Sequence, residues 1–369
     1  MTKSKPYCLA PWTSVQYSGV YEGGGISVCC EWRGKKFKGD ICDYQSSDYL
    51  KDIKRAMVEH DIEVLAPTCN ECILSERTIG QSTRKRIQKN SEHYNILDKI
   101  WRIDYRPDNL CNLKCRMCSP NSSSLIEEEY VKHQYVLTEF LDKRETHDVI
   151  EFDMQHLKEF CILGGEPTFN KKLYSIMDHV SQVPDVRLSY TTNATSFSKK
   201  WEEMINKFSD IHVNLSIDAT HDTYEYIRTN AQWKVVEKNI PKFINNTSSF
   251  SVNPVLMVYN VVTIDRWIEY FLQFDPQNVN FSPVYGDIPL SLSLIPEDLR
   301  AEKIQYLTAL NHPVADKAIK IISSFTFDST KIDHFIHKTE FQDSIRNTDI
   351  FALSEDFKRI WAYGKYNKR

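Results

Sequence analysis

Glycine is scarce in this chain of 369 residues, 11 in all, where an average usage of about 7% would supply more than twice as many. Any cluster of glycines therefore marks a place where the backbone needs them. No run of apolar residues approaches the roughly 18 that a membrane span requires, which excludes a transmembrane helix. The opening MTKSKPYCLAPW has no apolar signal-peptide core, so a cytoplasmic location is expected. An excess of one charge is missing too. The 46 basic side chains face 50 acidic ones for a net charge of -4, which excludes general affinity for polyanions and leaves nucleic acid outside the expected partners. Internal repeats and low-complexity linkers are absent. At about 150 residues per domain the chain makes two or three units with a substantial core, not a disulfide-stapled miniprotein.

What the chain does have is ten cysteines. In a reducing compartment these point to metal ligation or catalysis rather than disulfides. Cys8, Cys29, Cys30, Cys42, Cys69 and Cys72 form one group, Cys111, Cys115 and Cys118 a second, and Cys161 stands alone. In LCNLKCRMC the spacing is C-x3-C-x2-C, three thiolates on one short loop with no fourth. Structural zinc sites and cubane iron-sulfur clusters normally take four protein ligands. Three thiolates leave one iron of a four-iron cluster open to an outside ligand; zinc borrowing a fourth ligand from elsewhere is the competing reading. The loop follows WRIDYRP, where Trp101, Ile103 and Tyr105 alternate with Arg102, Asp104 and Arg106 as in a half-buried strand. A strand leading into a functional loop is how parallel barrels place chemistry.

In these features the chain resembles the radical S-adenosylmethionine (AdoMet) enzymes. The resemblance implies a 4Fe-4S cluster on Cys111, Cys115 and Cys118 whose open iron binds the amino and carboxylate groups of AdoMet, with Met117 near the adenine. Downstream, FCILGGEPTF ends an apolar run in Gly164, Gly165 and Glu166, adjacent glycines that signal close backbone approach. By resemblance this GGE motif contacts the methionyl amino group. Strand and helix patterns then alternate. Leu173, Ile176, Met177, Val180 and Val183 have helical spacing; Val186, Leu188 and Tyr190 have strand spacing and lead to Asn193. Ile211, Val213, Leu215 and Ile217 alternate with His212, Asn214, Ser216 and Asp218, giving one apolar and one polar face. The resemblance places Ser216, Asp218 and Asn193 near the AdoMet ribose or methionyl group and Arg228 at its carboxylate. Trp233, Val236, Ile240 and Phe243 suggest a helix that Pro241 must kink or restart. FSVNPVLMV reads as a fifth strand, Trp267, Tyr270, Phe271 and Phe274 as its helix, and NVNFSPV as a sixth strand. The expected fold class is α/β, a partial (β/α)6 TIM-type barrel over residues 96–290.

Residues 1–95 are expected to form an amino-terminal auxiliary-cluster domain. Cys8, Gly24, Cys29 and the later PTCNEC with Cys69 and Cys72 resemble the twitch domain, a shortened relative of the SPASM domain. In better-known members of the family that domain follows the barrel. The resemblance implies a second iron-sulfur cluster; four cysteines with a C-x2-C pair also suit a structural zinc site, and Cys30 competes with Cys29 as a ligand. Cys42 and Cys161 read as small buried residues. The basic run Arg77, Arg84, Lys85, Arg86 and Lys89 reads as a solvated helix face before it reads as a phosphate site. Residues 291–369 are expected to be a helical carboxyl-terminal extension capping the barrel mouth; His334 and His337 there lack partners for a metal. No catalytic acid or base is identifiable. An auxiliary cluster implies, by family resemblance, a peptide or protein substrate, with an electron donor such as flavodoxin or ferredoxin. A small metabolite, sugar or nucleotide substrate is the alternative, and a noncatalytic zinc-binding interaction module is the rival from another class.

Overall fold

The computed structural model describes residues 7–19, 25–78, 80–134, 154–284 and 289–364. Gly24 of the amino-terminal pattern lies outside them. The first strands are β1 (Ser14–Ser18), β2 (Gly25–Ser27) and β3 (Arg102–Arg106). They are followed by β4 (Glu159–Ile162), β5 (Arg187–Thr192), β6 (Asp210–Leu215) and β7 (Ser249–Val252). Together they form one seven-stranded sheet in the order β2-β1-β3-β4-β5-β6-β7, parallel throughout except that β2 runs antiparallel to β1. Two more short strands, β8 (Val255–Leu256) and β9 (Ser282–Pro283), pair in parallel. A bridge from Val252 to Val279 ties them to the sheet.

The fifth expected strand is thus split at Asn253 and Pro254, because proline offers no N–H to a ladder. Counting β7 and β8 as one interrupted strand, six parallel strands run from β3 to β9, the partial barrel that the alternation predicts. The boundary expected at residue 95 falls inside this sheet, since β1 pairs with β3 in register from Ser14 opposite Arg102 to Ser18 opposite Arg106.

The alternation decides which residues face what. Tyr17, Tyr105, Ile162, Tyr190 and Val213 form one row of register partners, all buried. This row turns toward the helices: Tyr190 meets Trp201 edge-on at 5.2 Å, and Trp201 lies on the helix Lys199–Ile205. The next row, Gln16, Asp104, Cys161, Ser189 and His212, therefore faces the barrel interior and is polar. Period-2 patterning on a parallel sheet produces this division without help from distant residues.

Two helices depart from expectation. Trp233–Asn245 runs through Pro241 unbroken; burial of Trp233, Val236, Ile240 and Phe243 outweighs the lost hydrogen bond. After β8 the expected helix is broken into short pieces, Val258–Val262 and Ile268–Phe271. In the carboxyl-terminal region, helices Glu297–Ala309, Pro313–Ile322 and Ile332–Arg346 pack against the barrel; we call the last of these αC. Among the described residues, no helix is long and apolar enough to cross a membrane.

Candidate functional site

The loop after β3 carries Cys111, Cys115 and Cys118, with Cys115 buried and the other two partly so. A two-residue antiparallel pairing of Lys114–Cys115 with Arg228–Thr229 holds it down, and the Cys118 amide donates to the Cys115 carbonyl at 3.1 Å. The GGE turn supports the loop from the other side. Gly164 has a φ of +120°, a region that disfavours side chains. A Cβ on Gly165 would sit 2.1 Å from the Leu110 carbonyl oxygen, while the Glu166 amide donates to that same oxygen at 2.8 Å. The close approach expected of the glycines is thus toward the backbone that leads into Cys111.

Glu166 is buried, and its carboxylate is occupied by the protein. One oxygen accepts from the Thr168 amide at 3.2 Å and from the hydroxyls of Thr168 at 2.8 Å and Thr192 at 2.7 Å. The other accepts from the Asn193 amide at 2.6 Å. Burial raises the pKa of this carboxyl, and the four donors oppose the rise. Its evident work is to join the GGE turn to the end of β5. From there the Asn193 side chain donates to Asn112, inside the cysteine loop, at 3.0 Å. Asn112 in turn donates to Thr195 at 2.9 Å. Asn112 was not among the expected site residues.

Asp218 and Arg228, expected to meet different parts of AdoMet, meet each other. The Arg228 Nε donates to Asp218 at 2.7 Å, and both side chains are almost wholly buried. A second Arg228 nitrogen lies 3.6 Å from the Cys115 sulfur. The Cys118 thiol donates to Cys115, and with the Arg228 guanidinium this lowers the Cys115 pKa against the effect of burial; Cys118 moves the other way. Ser216 is half-buried at the end of β6, its amide donating to the Thr192 carbonyl at 2.9 Å. Met117 packs partly buried against the core.

Arg116, between two of the cysteines, escaped the sequence reading. It is fully buried, donates to the Tyr226 carbonyl at 2.9 Å and lies 3.6 Å over the Tyr226 ring. Its outer nitrogens reach Asp343 at 2.6 Å, Thr348 at 2.7 Å and Gln342 at 3.4 Å. Nearby, Arg346 donates to the Lys114 carbonyl at 3.0 Å and pairs with Glu129, which also pairs with Lys114. The carboxyl-terminal helix αC is therefore bolted to the cysteine loop. A long charged residue between ligands is a signal for such a latch, but its partner 227 positions away is invisible in sequence.

The second set of cysteines lies elsewhere. Cys8 precedes β1, and Cys29 follows β2, whose Ser27 stands opposite Gln16. Both lie at the amino-terminal ends of the parallel strands, whereas Cys111 follows the carboxyl-terminal end of β3. The length of β3 alone separates the two ends by about 15 Å, at roughly 3.3 Å per residue. Cys8, Cys29, Cys69 and Cys72 line one cavity with Val28, Trp32, Met57, Arg84 and Ile87. Burial pushes the Cys8 thiol up to about 12 and Cys72 to about 11, so without a cation these groups stay protonated. Cys30 does not line this cavity. Half-buried, it lies where the charges of Asp104, Glu31, Arg102 and Arg86 act on its thiol, because adjacent residues leaving a strand point to opposite sides.

Two expectations need correction here. Cys42 is exposed, since on the helix Ile41–Ser46 it is Ile41 and Tyr44 that turn inward. Cys161 is buried as expected. Arg84 is not part of a solvated face: it is half-buried, paired with Glu76, stacked 4.3 Å over Tyr7 and bonded to the Tyr7 carbonyl at 3.2 Å. Lys85, Arg86 and Lys89 are exposed, as are His334 and His337.

Among the described residues, no three His, Cys, Asp or Glu side chains converge as ligands of a single metal ion. Three soft thiolates spread over one loop, with a fourth position open, fit instead a cubane cluster with one iron free. A three-thiolate loop at the carboxyl end of a parallel barrel defines a cluster-binding barrel. The family model described as the Radical SAM superfamily matches residues 105–271, and the protein carries that superfamily's domain, which implies a 4Fe-4S cluster and AdoMet. The GTP 3',8-cyclase of Alkaliphilus metalliredigens (strain QYMF) is 27% identical over 183 residues, 47% of this chain and 52% of that protein. The enzyme of the same name from Syntrophomonas wolfei subsp. wolfei is 27% identical over 154 residues, 40% and 44% of the respective chains. The chain thus spans about half the length of the curated relatives it matches. Among solved structures, anSMEcpe with bound AdoMet and Cp18Cys peptide is 18% identical with a TM-score of 0.39, covering 57% of this chain and 59% of that one. Streptococcus suis SuiB bound to its precursor peptide SuiA is 17% identical with a TM-score of 0.38, covering 66% and 52%.

Proposed function

We propose that the protein is a radical AdoMet enzyme that modifies a peptide or protein side chain. The observation that carries the reading is the three-cysteine loop, clamped between the GGE turn and the Asp218–Arg228 pair with its fourth coordination position left to an outside ligand. Cys111, Cys115 and Cys118 would hold a 4Fe-4S cluster, which would supply the electron for reductive cleavage of AdoMet to methionine and a hydrogen-abstracting 5'-deoxyadenosyl radical. Gly164 and Gly165 let the turn lie against the loop, and Glu166 holds the Thr192–Asn193 corner in place. Arg228 neutralises charge at the Cys115 sulfur through its 3.6 Å contact, and Asp218 keeps Arg228 aimed there. Cys115, Glu166, Asp218 and Arg228 are buried, which shields their side of the constellation from water.

For the amino-terminal site we propose Cys8, Cys29, Cys69 and Cys72 as ligands of an auxiliary iron-sulfur cluster. The four sulfurs line one cavity, and four thiolates including a C-x2-C pair supply the soft ligand set that such a cluster takes. Their place beyond the opposite ends of the strands puts the polar barrel interior between the two sites. The auxiliary site, by resemblance to the twitch domain, supports a peptide substrate. In the nucleotide alternative the basic run near Arg84 positions a phosphate; Arg84 itself is committed to Glu76 and Tyr7, while Lys85, Arg86 and Lys89 are exposed. The match to GTP 3',8-cyclases is the observation that favours a nucleotide, and it leaves another cation to hold the phosphate.

The test is anaerobic reconstitution with a strong reductant and AdoMet, following 5'-deoxyadenosine by chromatography. Wild type and Cys72→Ala should both form it, and Cys115→Ala should form none. Formation by Cys115→Ala at the wild-type rate, or stoichiometric zinc in place of iron in both sites, would overturn the reading.

A further inference from the structure

The helix αC meets the cysteine loop along one of its faces. Lys338, Gln342 and Arg346 recur every four residues, so their side chains stack on that face. The loop runs past them in the opposite direction. Arg346 bonds the carbonyl of Lys114, and Gln342 bonds Arg116. Lys338, one turn nearer the helix start, feels the charges of Arg346, Arg116 and the Cys118 thiol. The pairing of successive helix turns with Lys114 and Arg116 sets Lys338 on the side of the helix that faces the Cys118 end of the loop.

The cations of this region are otherwise matched. Arg116 has Asp343, Arg346 and Lys114 share Glu129, and Arg228 has Asp218. Lys338 is half-buried and has no carboxylate or hydrogen-bond partner for its ammonium among the described residues. Burial and the Arg346 and Arg116 guanidinium groups push its ammonium down to about 8, while the Cys118 thiolate opposes that. A desolvated positive charge flanked by two others is costly unless negative charge completes the site. Three thiolates holding an iron-sulfur core supply such charge, and it increases by one unit on reduction.

We propose that Lys338 is a positioning residue of the carboxyl-terminal helix that raises the reduction potential of the cluster held by Cys111, Cys115 and Cys118. The inference rests on the reading of those three cysteines as cluster ligands. The electron comes from an external one-electron donor, and Lys338 neither gains nor loses a proton in the step. Its unpaired charge stabilises the reduced, more negative state over the oxidised one, since charge and hydrogen bonding around the sulfurs set such potentials. The barrel strands carry Arg228 against Cys115; αC carries the corresponding charge against Cys118.

The experiment uses the full chain, reconstituted anaerobically as wild type, Lys338→Met and Lys338→Arg. The cluster is titrated against electrode potential by electron paramagnetic resonance, taking the signal that Cys115→Ala abolishes. Lys338→Met should keep its iron and melting temperature but hold about tenfold less reduced cluster relative to oxidised at a given poise, about 59 mV for one electron. Lys338→Arg should restore the wild-type ratio. An unmoved potential in Lys338→Met, or an equal fall in both variants, overturns the inference and leaves the ligand reading intact. Absence of any signal dependent on Cys115 overturns both. Should methionine at 338 strip the iron, Lys338→Gln provides the same titration, with the same ratio expected and the same result overturning it.

Discussion

The two cysteine sites are built in opposite ways. Cys111, Cys115 and Cys118 come from one loop, and polar bonds from four separate stretches hold that loop: the GGE turn, the Asn193 corner, the Arg228 pairing and αC. Cys8, Cys29, Cys69 and Cys72 come from three stretches and meet in a cavity walled by Val28, Trp32, Met57 and Ile87, with Glu31 and Arg84 as its charged members. The first site is shaped before any cluster binds, because its backbone is already bonded. At the second the Ala10 amide reaches Cys8 at 3.4 Å, the Thr68 hydroxyl reaches Cys69 at 3.9 Å and the Arg33 amide donates to the Thr68 carbonyl at 3.0 Å, and a bound group would add a further tie among its three stretches.

The largest effect should come from cutting the latch on the rigid site. Arg116→Met leaves Asp343 without its guanidinium and removes the stacking on Tyr226. Breaking a pair this buried costs about 3–5 kcal/mol, read as a lower midpoint in chemical denaturation. Iron should be lost from the three-cysteine loop while the amino-terminal site keeps its share, measured by metal analysis beside a Cys72→Ala control. Equal loss from both sites would erase the contrast between them.

A middle-sized effect is expected at the amino-terminal strand ends, where Arg102 pairs with Asp104 at 2.7 Å and with Glu159. Burial alone would raise the Glu159 pKa, but the charges of Arg102 and Arg86 outweigh it and hold the group at about 2. A carboxyl depressed in the folded state stabilises the protein above its unfolded pKa near 4.5. That stability is lost as pH falls through the folded value. Melting temperature should therefore drop between about pH 4.5 and 2 by the equivalent of about 2–3 kcal/mol. Glu159→Gln should be less stable at neutral pH and lack this part of the acid slope; a slope identical to wild type would show that other carboxyls carry it.

The smallest effect belongs to Cys42, exposed and assigned to neither site. Cys42→Ser should change stability by less than about 0.5 kcal/mol and leave iron content unaltered. A loss of iron in this variant would put Cys42 among the ligands and redraw the amino-terminal site.

Much of the barrel was legible because its signals are local. Strands such as Ile211–Leu215 declare themselves by alternation and helices such as Leu173–Val180 by spacing, and a parallel sheet assembles such units in order. The three-cysteine loop and the GGE turn were legible for the same reason, each confined to a few residues. Two misreadings came from local signals too weak to decide. Cys42 looked like a small core residue, yet it sits one position from Ile41 on a short helix whose apolar face is narrow. Arg84 looked solvated amid basic neighbours, yet Glu76 and Tyr7 draw it inward.

By itself the sequence determined the class of chemistry and the scaffold: a three-thiolate loop after a strand, and six strands whose polar residues face one interior. These follow from spacing along the chain, which side-chain geometry converts directly into faces and ligand counts. Only the tertiary structure decided that Cys29 rather than Cys30 joins the amino-terminal cavity, that β1 extends the barrel sheet, that Asp218 is spent on Arg228, and that αC secures Arg116 and brings Lys338 to Cys118. Each of these depends on stretches far apart in sequence being brought together. That meeting is set by how whole elements pack, and no local pattern records it.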